Sequence, residues 1–166
     1  MFEIIKASEN QLDIVQAIAQ ETWPVAYKDV ISESQIEYML EMMYSKDALI
    51  TQSKKNHHFI LAKEENFVGF ASYEFDCGEK GKTKIHKLYV LPSIQTKGIG
   101  NKLVKFIADE AQNNNQSALF LNVNKNNSAQ FFYKKVGFSI AYEEVIDIGN
   151  GFLMDDYVME KTISLD

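Results

Sequence analysis

A chain of 166 residues with 46% hydrophobic and 24% charged residues holds enough apolar mass for one core, which excludes a disordered chain. A net charge of −6 and a pI near 5.1 exclude the basic face of a nucleic-acid binder and suit a cationic partner. The single cysteine, Cys77, excludes a disulfide framework and a cysteine-based zinc site, and fits a reducing, cytoplasmic setting.

The opening MFEIIKASEN lacks the charged start and long apolar run of a signal peptide, and FEIIKA reads as a first strand. No apolar run approaches the roughly 20 residues that cross a bilayer, so no membrane role is expected. Ser8 with Gln11 forms a capping box, and Leu12, Val15, Ile18 and Ala19 give the helix that follows one apolar face. Trp23-Pro24 reads as a loop. Ser32 with Gln35 repeats the capping signal before a second helix with Ile36, Met39, Leu40 and Met43. HHFILAKE and FVGFASYEF are strands around a two-residue turn candidate, Glu65-Asn66. CGEKGK is a polar connection, and TKIHKLYVL is the next strand.

From Gly98 to about Asn114, the residues Ile99, Leu103, Ile107 and Ala111 line one helix face. SALFLNV is short and continuously apolar, as a central strand is. NNSAQFFYKKV is a short helix closed by Gly137. SIAYEEVIDIG and FLMDDYVMEKTI form a hairpin around Asn150-Gly151. The order β-α-α-β-β-β-α-β-α-β-β predicts one α/β domain over residues 1–166. It has a mixed sheet of about seven strands and about four helices.

Two glycine patterns bear on chemistry. Gly98 and Gly100 sit where a strand passes into a helix, whose N-terminal N–H groups and partial positive charge suit a phosphate. Lys97 and Lys102 add charge. A loop that needs glycine only for its turns would look the same. Leu103 stands where a dinucleotide fingerprint needs its third glycine. DCGEKGKT imitates a P-loop, but Asp76 replaces the first glycine and a strand follows instead of a helix, so it reads as a hairpin turn. His86 lies on a strand, with Lys84 and Leu88 on its face by the period of two. No spacing of His, Cys and acidic residues marks a metal site or a triad.

The stretches LYVLPSIQTKGIGNKLVKFIADEA and LFLNVNKNNSAQFFYKKVGF together resemble the GNAT-type N-acetyltransferases. Gln95-Thr96-Lys97-Gly98-Ile99-Gly100 matches their Gln/Arg-x-x-Gly-x-Gly/Ala signature in full. ETWPVAYKDVISESQIEYMLEMMYS and MDDYVMEK further resemble the branch that holds bacterial polyamine acetyltransferases. The resemblance implies acetyl-CoA as co-substrate. Its pantetheine arm would lie along Leu88, Tyr89 and Val90, and its pyrophosphate in the N–H groups of Gln95, Thr96, Lys97, Gly98, Ile99 and Gly100. Asn126 would meet it from the other side. A backbone N–H near Val90 would polarise the thioester carbonyl as an oxyanion hole does.

The implied reaction is direct attack of a primary amine on the thioester. Tyr133 matches the family's general acid toward the leaving thiolate, and His86 is the candidate base. Some members carry a glutamate on the fifth strand, where this chain has Asn122. Trp23, Tyr27, Glu74, Asp155 and Asp156 are the expected acceptor contacts, with Asp76, Glu143 and Glu144 as further acids on the walls. A small polyamine-like amine is the first expectation for the acceptor. Peptide or protein N-terminal acetylation, or a non-catalytic acyl-CoA sensor, are the alternatives. A homodimer is a family-level expectation.

Overall fold

The computed structural model describes residues 2–163, with the side chain of Thr96 left aside. Seven strands form one sheet: β1 (Glu3–Lys6), β2 (His58–Lys63), β3 (Phe67–Glu74), β4 (Lys82–Val90), β5 (Ala118–Asn124), β6 (Ser139–Gly149) and β7 (Phe152–Thr162). Their spatial order is β1-β2-β3-β4-β5-β7-β6. Only β4 and β5 pair in parallel, and the crossover between them runs through the helix Ile99–Asn113. Five α-helices flank the sheet: α1 (Leu12–Ala26), α2 (Glu33–Tyr44), α3 (Lys46–Lys54), α4 (Ile99–Asn113) and α5 (Ala129–Lys135). The mixed α/β architecture and the seven strands are as expected from the sequence.

Two apolar layers hold the elements. On one face, α4 lays Ile99, Leu103, Val104, Ile107 and Ala111 against Ile60, Ala71, Ile85, Leu119 and Leu121. On the other, α1, α2 and α3 gather Val15, Ala19, Trp23, Met39, Tyr44 and Leu49 over Phe59, Leu61 and Phe70. Leu103 and Ile107 are fully buried, so truncating either to alanine costs about 2–5 kcal/mol. No helix among the described residues is long and apolar enough to cross a membrane.

Four sequence expectations change. Trp23 and Pro24 lie inside α1. Proline so near the end of a helix removes a single backbone bond, and the wholly buried Trp23 ring offsets that loss. A fifth helix, α3, follows directly on α2. Ser45 caps it by accepting the Ala48 N–H at 3.2 Å, but it buries only Leu49, too few apolar positions to make a period. The β2–β3 connection uses three residues, closed by Glu64 N–H to the Asn66 carbonyl. Finally, the pairing of β3 with β4 shifts between Ser72↔Lys87 and Tyr73↔Ile85, leaving His86 as a bulge. The alternation changes phase there, so Leu88 packs with Ile85 on the α4 face instead of sharing a face with His86.

Other local readings hold, one of them only in part. The Ser8–Gln11 capping box forms in full, whereas at α2 only half of it does: the Ser32 Oγ accepts the Gln35 N–H, but the Gln35 side chain donates to the Leu153 carbonyl at 2.8 Å. Asn150 and Gly151 both take positive φ, as a tight hairpin turn requires. Asp76 also takes positive φ, and its carboxylate accepts the Gly81 N–H at 2.7 Å, so the P-loop look-alike is a hairpin turn.

Candidate active site

The sheet opens between its two parallel strands. β4 and β5 pair only from Lys82↔Ala118 to Lys84↔Phe120, and beyond that point no register joins them. The gap is flanked by Leu88, Tyr89 and Val90 on one side and by Leu121 to Asn124 on the other. At its wide end, a 3-10 segment from Pro92 to Lys97 leads into α4. Gln95 turns back to donate to the Val90 carbonyl at 3.2 Å. Gly98 has a φ of +77°, a left-handed conformation that glycine adopts without strain. A Cβ added there would meet nothing within 4 Å, so the backbone is open to an incoming group. A Cβ at Gly100 would stand 3.1 Å from the Phe132 ring, so glycine lets α4 pass close to α5 without displacing that ring. The first-turn N–H groups of α4 have no intrahelical acceptor and carry partial positive charge. Glycine backbone, open approach and helix N-terminus together fit a pyrophosphate.

A cluster of tyrosines fills the throat. The hydroxyls of Tyr27, at the end of α1, and Tyr89, on β4, are 2.7 Å apart. The Trp23 ring packs against Tyr27 with centroids 4.4 Å apart, and also contacts Tyr44 and Tyr89. Tyr133 is buried beneath Phe132 and Phe138. Burial pushes its phenol above the ordinary value, and Tyr27 adds to the shift.

The acidic residues divide. Asp156 is 2% exposed, whereas its neighbour Asp155 turns outward to pair with Lys125 at 3.0 Å. Asn122 donates to Asp156 at 3.2 Å and to Glu144 at 2.9 Å. Burial raises the Asp156 carboxyl; the Asn122 hydrogen bond opposes the shift, and the Glu144 charge adds to it. Asp156 pairs with Asn124 across β5 and β7, which sets this carboxylate on the strand behind the open gap. Glu74 lies elsewhere, holding His86 Nε2 at 2.9 Å and His57 Nε2 at 3.3 Å. Burial drives the His86 imidazole down to about 4, with the facing His57 adding to it.

Asn126 is exposed, with its N–H on the Asn124 side chain. The next residue, Asn127, is the buried one; its side chain accepts the Ala129 N–H at the start of α5 at 2.9 Å. Sequence reasoning passed over Asn127 as a site residue. It also weighed Asp155 and Asp156 equally.

The acetyltransferase (GNAT) domain profile matches residues 27–161, most of the chain. The chain belongs to the GNAT acetyltransferase family. This acetyltransferase is 28% identical over 160 residues to a spermidine N(1)-acetyltransferase of Thermoplasma acidophilum, covering 92% of this chain and 95% of that one. Its fold is similar to the crystal structure of the PaiA N-acetyltransferase of the same organism in complex with coenzyme A, at a TM-score of 0.80 and 25% identity over 98% of this chain and 99% of that one. The Escherichia coli ribosomal-protein-S18-alanine N-acetyltransferase shares the fold at a TM-score of 0.74 and 17% identity, over 100% and 96% of the two chains. Family membership makes this acetyltransferase an acyltransferase that uses acetyl-CoA as its acyl donor.

Proposed function

We propose that the enzyme acetylates a primary amine of a small cationic acceptor by direct attack on the thioester. The observation that carries this reading is Asp156, a buried carboxylate bonded to Asn122 and paired with Asn124 where β5 borders the open end of the β4–β5 gap. A buried carboxylate is stable only with partners, and an acceptor ammonium is a fitting one. The identity to a spermidine acetyltransferase supports the same acceptor class. The hairpin of β6 and β7 is tied to α2 by the Tyr38 hydroxyl on the Ile148 carbonyl at 2.6 Å and by Gln35 on Leu153. Those bonds close the acceptor side and favour a small molecule over a peptide.

The donor supplies the activated acetyl group, and the chain supplies position and protons. Leu88, Tyr89 and Val90 form the rail in the gap. The N–H groups from Gln95 to Gly100, including Thr96, Lys97 and Ile99, receive the pyrophosphate, with Asn126 across from them. A backbone N–H near Val90 polarises the carbonyl. An alkyl ammonium with a pKa of about 10.4 is free amine in only roughly one molecule in 2,500 near pH 7, a cost of about 4.6 kcal/mol. Asp156 holds the ammonium and takes one proton from it, which frees the nitrogen lone pair to attack; the adduct nitrogen then loses its second proton to solvent as the C–S bond breaks and the thiolate leaves protonated. His86 Nε2 is held by Glu74, about 13 Å along the strand from Val90, so we assign the proton to Asp156 instead. Asn122 stands where some relatives carry glutamate, and Asp156 on the adjoining strand restores a carboxylate there. Trp23 and Tyr27 shape the throat. Tyr133 donates to the leaving thiolate. Its phenol is raised by burial, so it stabilises developing charge by a hydrogen bond more than by full transfer.

Release of CoA thiol from acetyl-CoA across polyamines, amino acids, neutral amines and short peptides tests the reading. Turnover with polyamines is expected. Turnover confined to neutral or acidic acceptors, or to peptides, overturns it.

A further inference from the structure

We propose that His57, Glu74 and His86 form a binding site for a divalent transition-metal ion, zinc foremost, apart from the acyl-transfer gap. The three ligands come from different elements: the entry to β2, the end of β3 and the bulge in β4. Both imidazole Nε2 atoms point at the same carboxylate oxygen, Glu74 Oε1, at 2.9 and 3.3 Å. One ligand atom from each residue lies within 4.8 Å of the others. Zinc bonds of about 2.0–2.2 Å at tetrahedral angles set neighbouring ligand atoms roughly 3.3–3.6 Å apart. Small side-chain rotations therefore suffice to admit an ion.

The chemistry of the set selects the metal class. Two imidazoles and one carboxylate are a known zinc donor set, which leaves a fourth position for water. The rings stack at 4.1 Å and 9°, and Lys84 and Lys87 also act on them, so a second positive charge on the rings is disfavoured. Neutral rings keep a lone pair available. The same lysines disfavour a hard cation held only by charge, such as magnesium or calcium. To bind one ion the rings must tilt out of their stack, and His57 lies just ahead of β2, outside the strand ladder that holds His86. Access exists on that side: a cleft of about 250 Å³ is lined by His57 together with Ser53, His58 and Tyr73. The bulge makes the site, because without it the β4 alternation would run unbroken past His86.

The test uses the tag-free full chain, stripped with chelator. Titration with Co2+ should give the visible bands of a four-coordinate ion, and calorimetry should show one Zn2+ per chain. His57→Ala and Glu74→Gln should each weaken Zn2+ more than about tenfold, since each removes a ligand outright. Zn2+ should raise the melting temperature of the wild type and not of His57→Ala. The His57→Ala chain should retain acetyl transfer, which separates this site from the amine-acetylating one. Equal Zn2+ affinity in wild type and the His57→Ala/Glu74→Gln double variant, or no Co2+ bands in the wild type, overturns the proposal.

Discussion

The hydroxyl of Tyr27 lies 2.7 Å from that of Tyr89, joining the end of α1 to the strand that borders the open gap. Burial raises both phenols, so each remains protonated at any working pH and the bond persists. The Trp23 ring packs against both tyrosines and holds the pair in place. Tyr27→Phe leaves the Tyr89 hydroxyl without this partner. The expected result is a loss of about 1–3 kcal/mol in denaturant unfolding and a raised KM for the acceptor, with the KM for acetyl-CoA little changed.

Asp156→Asn separates binding chemistry from stability. The folded carboxyl is raised, so the folded chain holds the proton more tightly than the unfolded one. Its contribution favours the fold below the ordinary value of about 3.9 and is lost as pH rises through the raised value. At neutral pH the ionised group is a burden to the fold. Asp156→Asn should therefore melt higher than wild type at pH 7, with the difference shrinking toward acid pH, while kcat/KM for a polyamine falls about 100-fold. A variant that melts lower at pH 7 contradicts the stated role of burial.

Tyr133→Phe should lower kcat by about 100-fold with little change in the KM for acetyl-CoA. The phenyl ring keeps the packing against Phe132 and Phe138, so the melting temperature should hardly move. Unchanged kcat removes Tyr133 from the chemistry.

The two glycines of the turn make opposite demands. Gly98 has open space at its Cβ, and asparagine tolerates its positive φ, so Gly98→Asn should fold normally. Its side chain would stand in the phosphate approach and raise the KM for acetyl-CoA by about tenfold, equivalent to one charge-assisted hydrogen bond. Gly100→Ala would press on Phe132 at 3.1 Å and cost about 1–3 kcal/mol of stability. Circular dichroism melts beside steady-state kinetics read both.

Much of this was legible in the sequence because local signals agreed. Ile99, Leu103, Ile107 and Ala111 recur at helical spacing and are all buried. Asn150-Gly151 marks the hairpin it forms. The misses share a cause, in that tertiary packing overrides local pattern. Trp23-Pro24 looked like a break, yet a buried indole carries the helix through it. On β7, Met154 packs into one apolar layer and Tyr157 and Met159 into the other, so apolar residues lie on both faces. Alternation there cannot tell which of Asp155 and Asp156 turns inward. His57, Glu74 and His86 are far apart in the chain and meet only through strand register and one bulge, which no motif spacing records.

The most direct measurement mixes the purified chain with acetyl-CoA and spermidine and follows CoA thiol and product mass together, in wild type and Asp156→Asn. The expected result is one acetyl group on spermidine for each thiol released, with the rate collapsing in the variant. Thiol release without an acetylated amine, or equal rates in the two proteins, contradicts amine acetylation through Asp156.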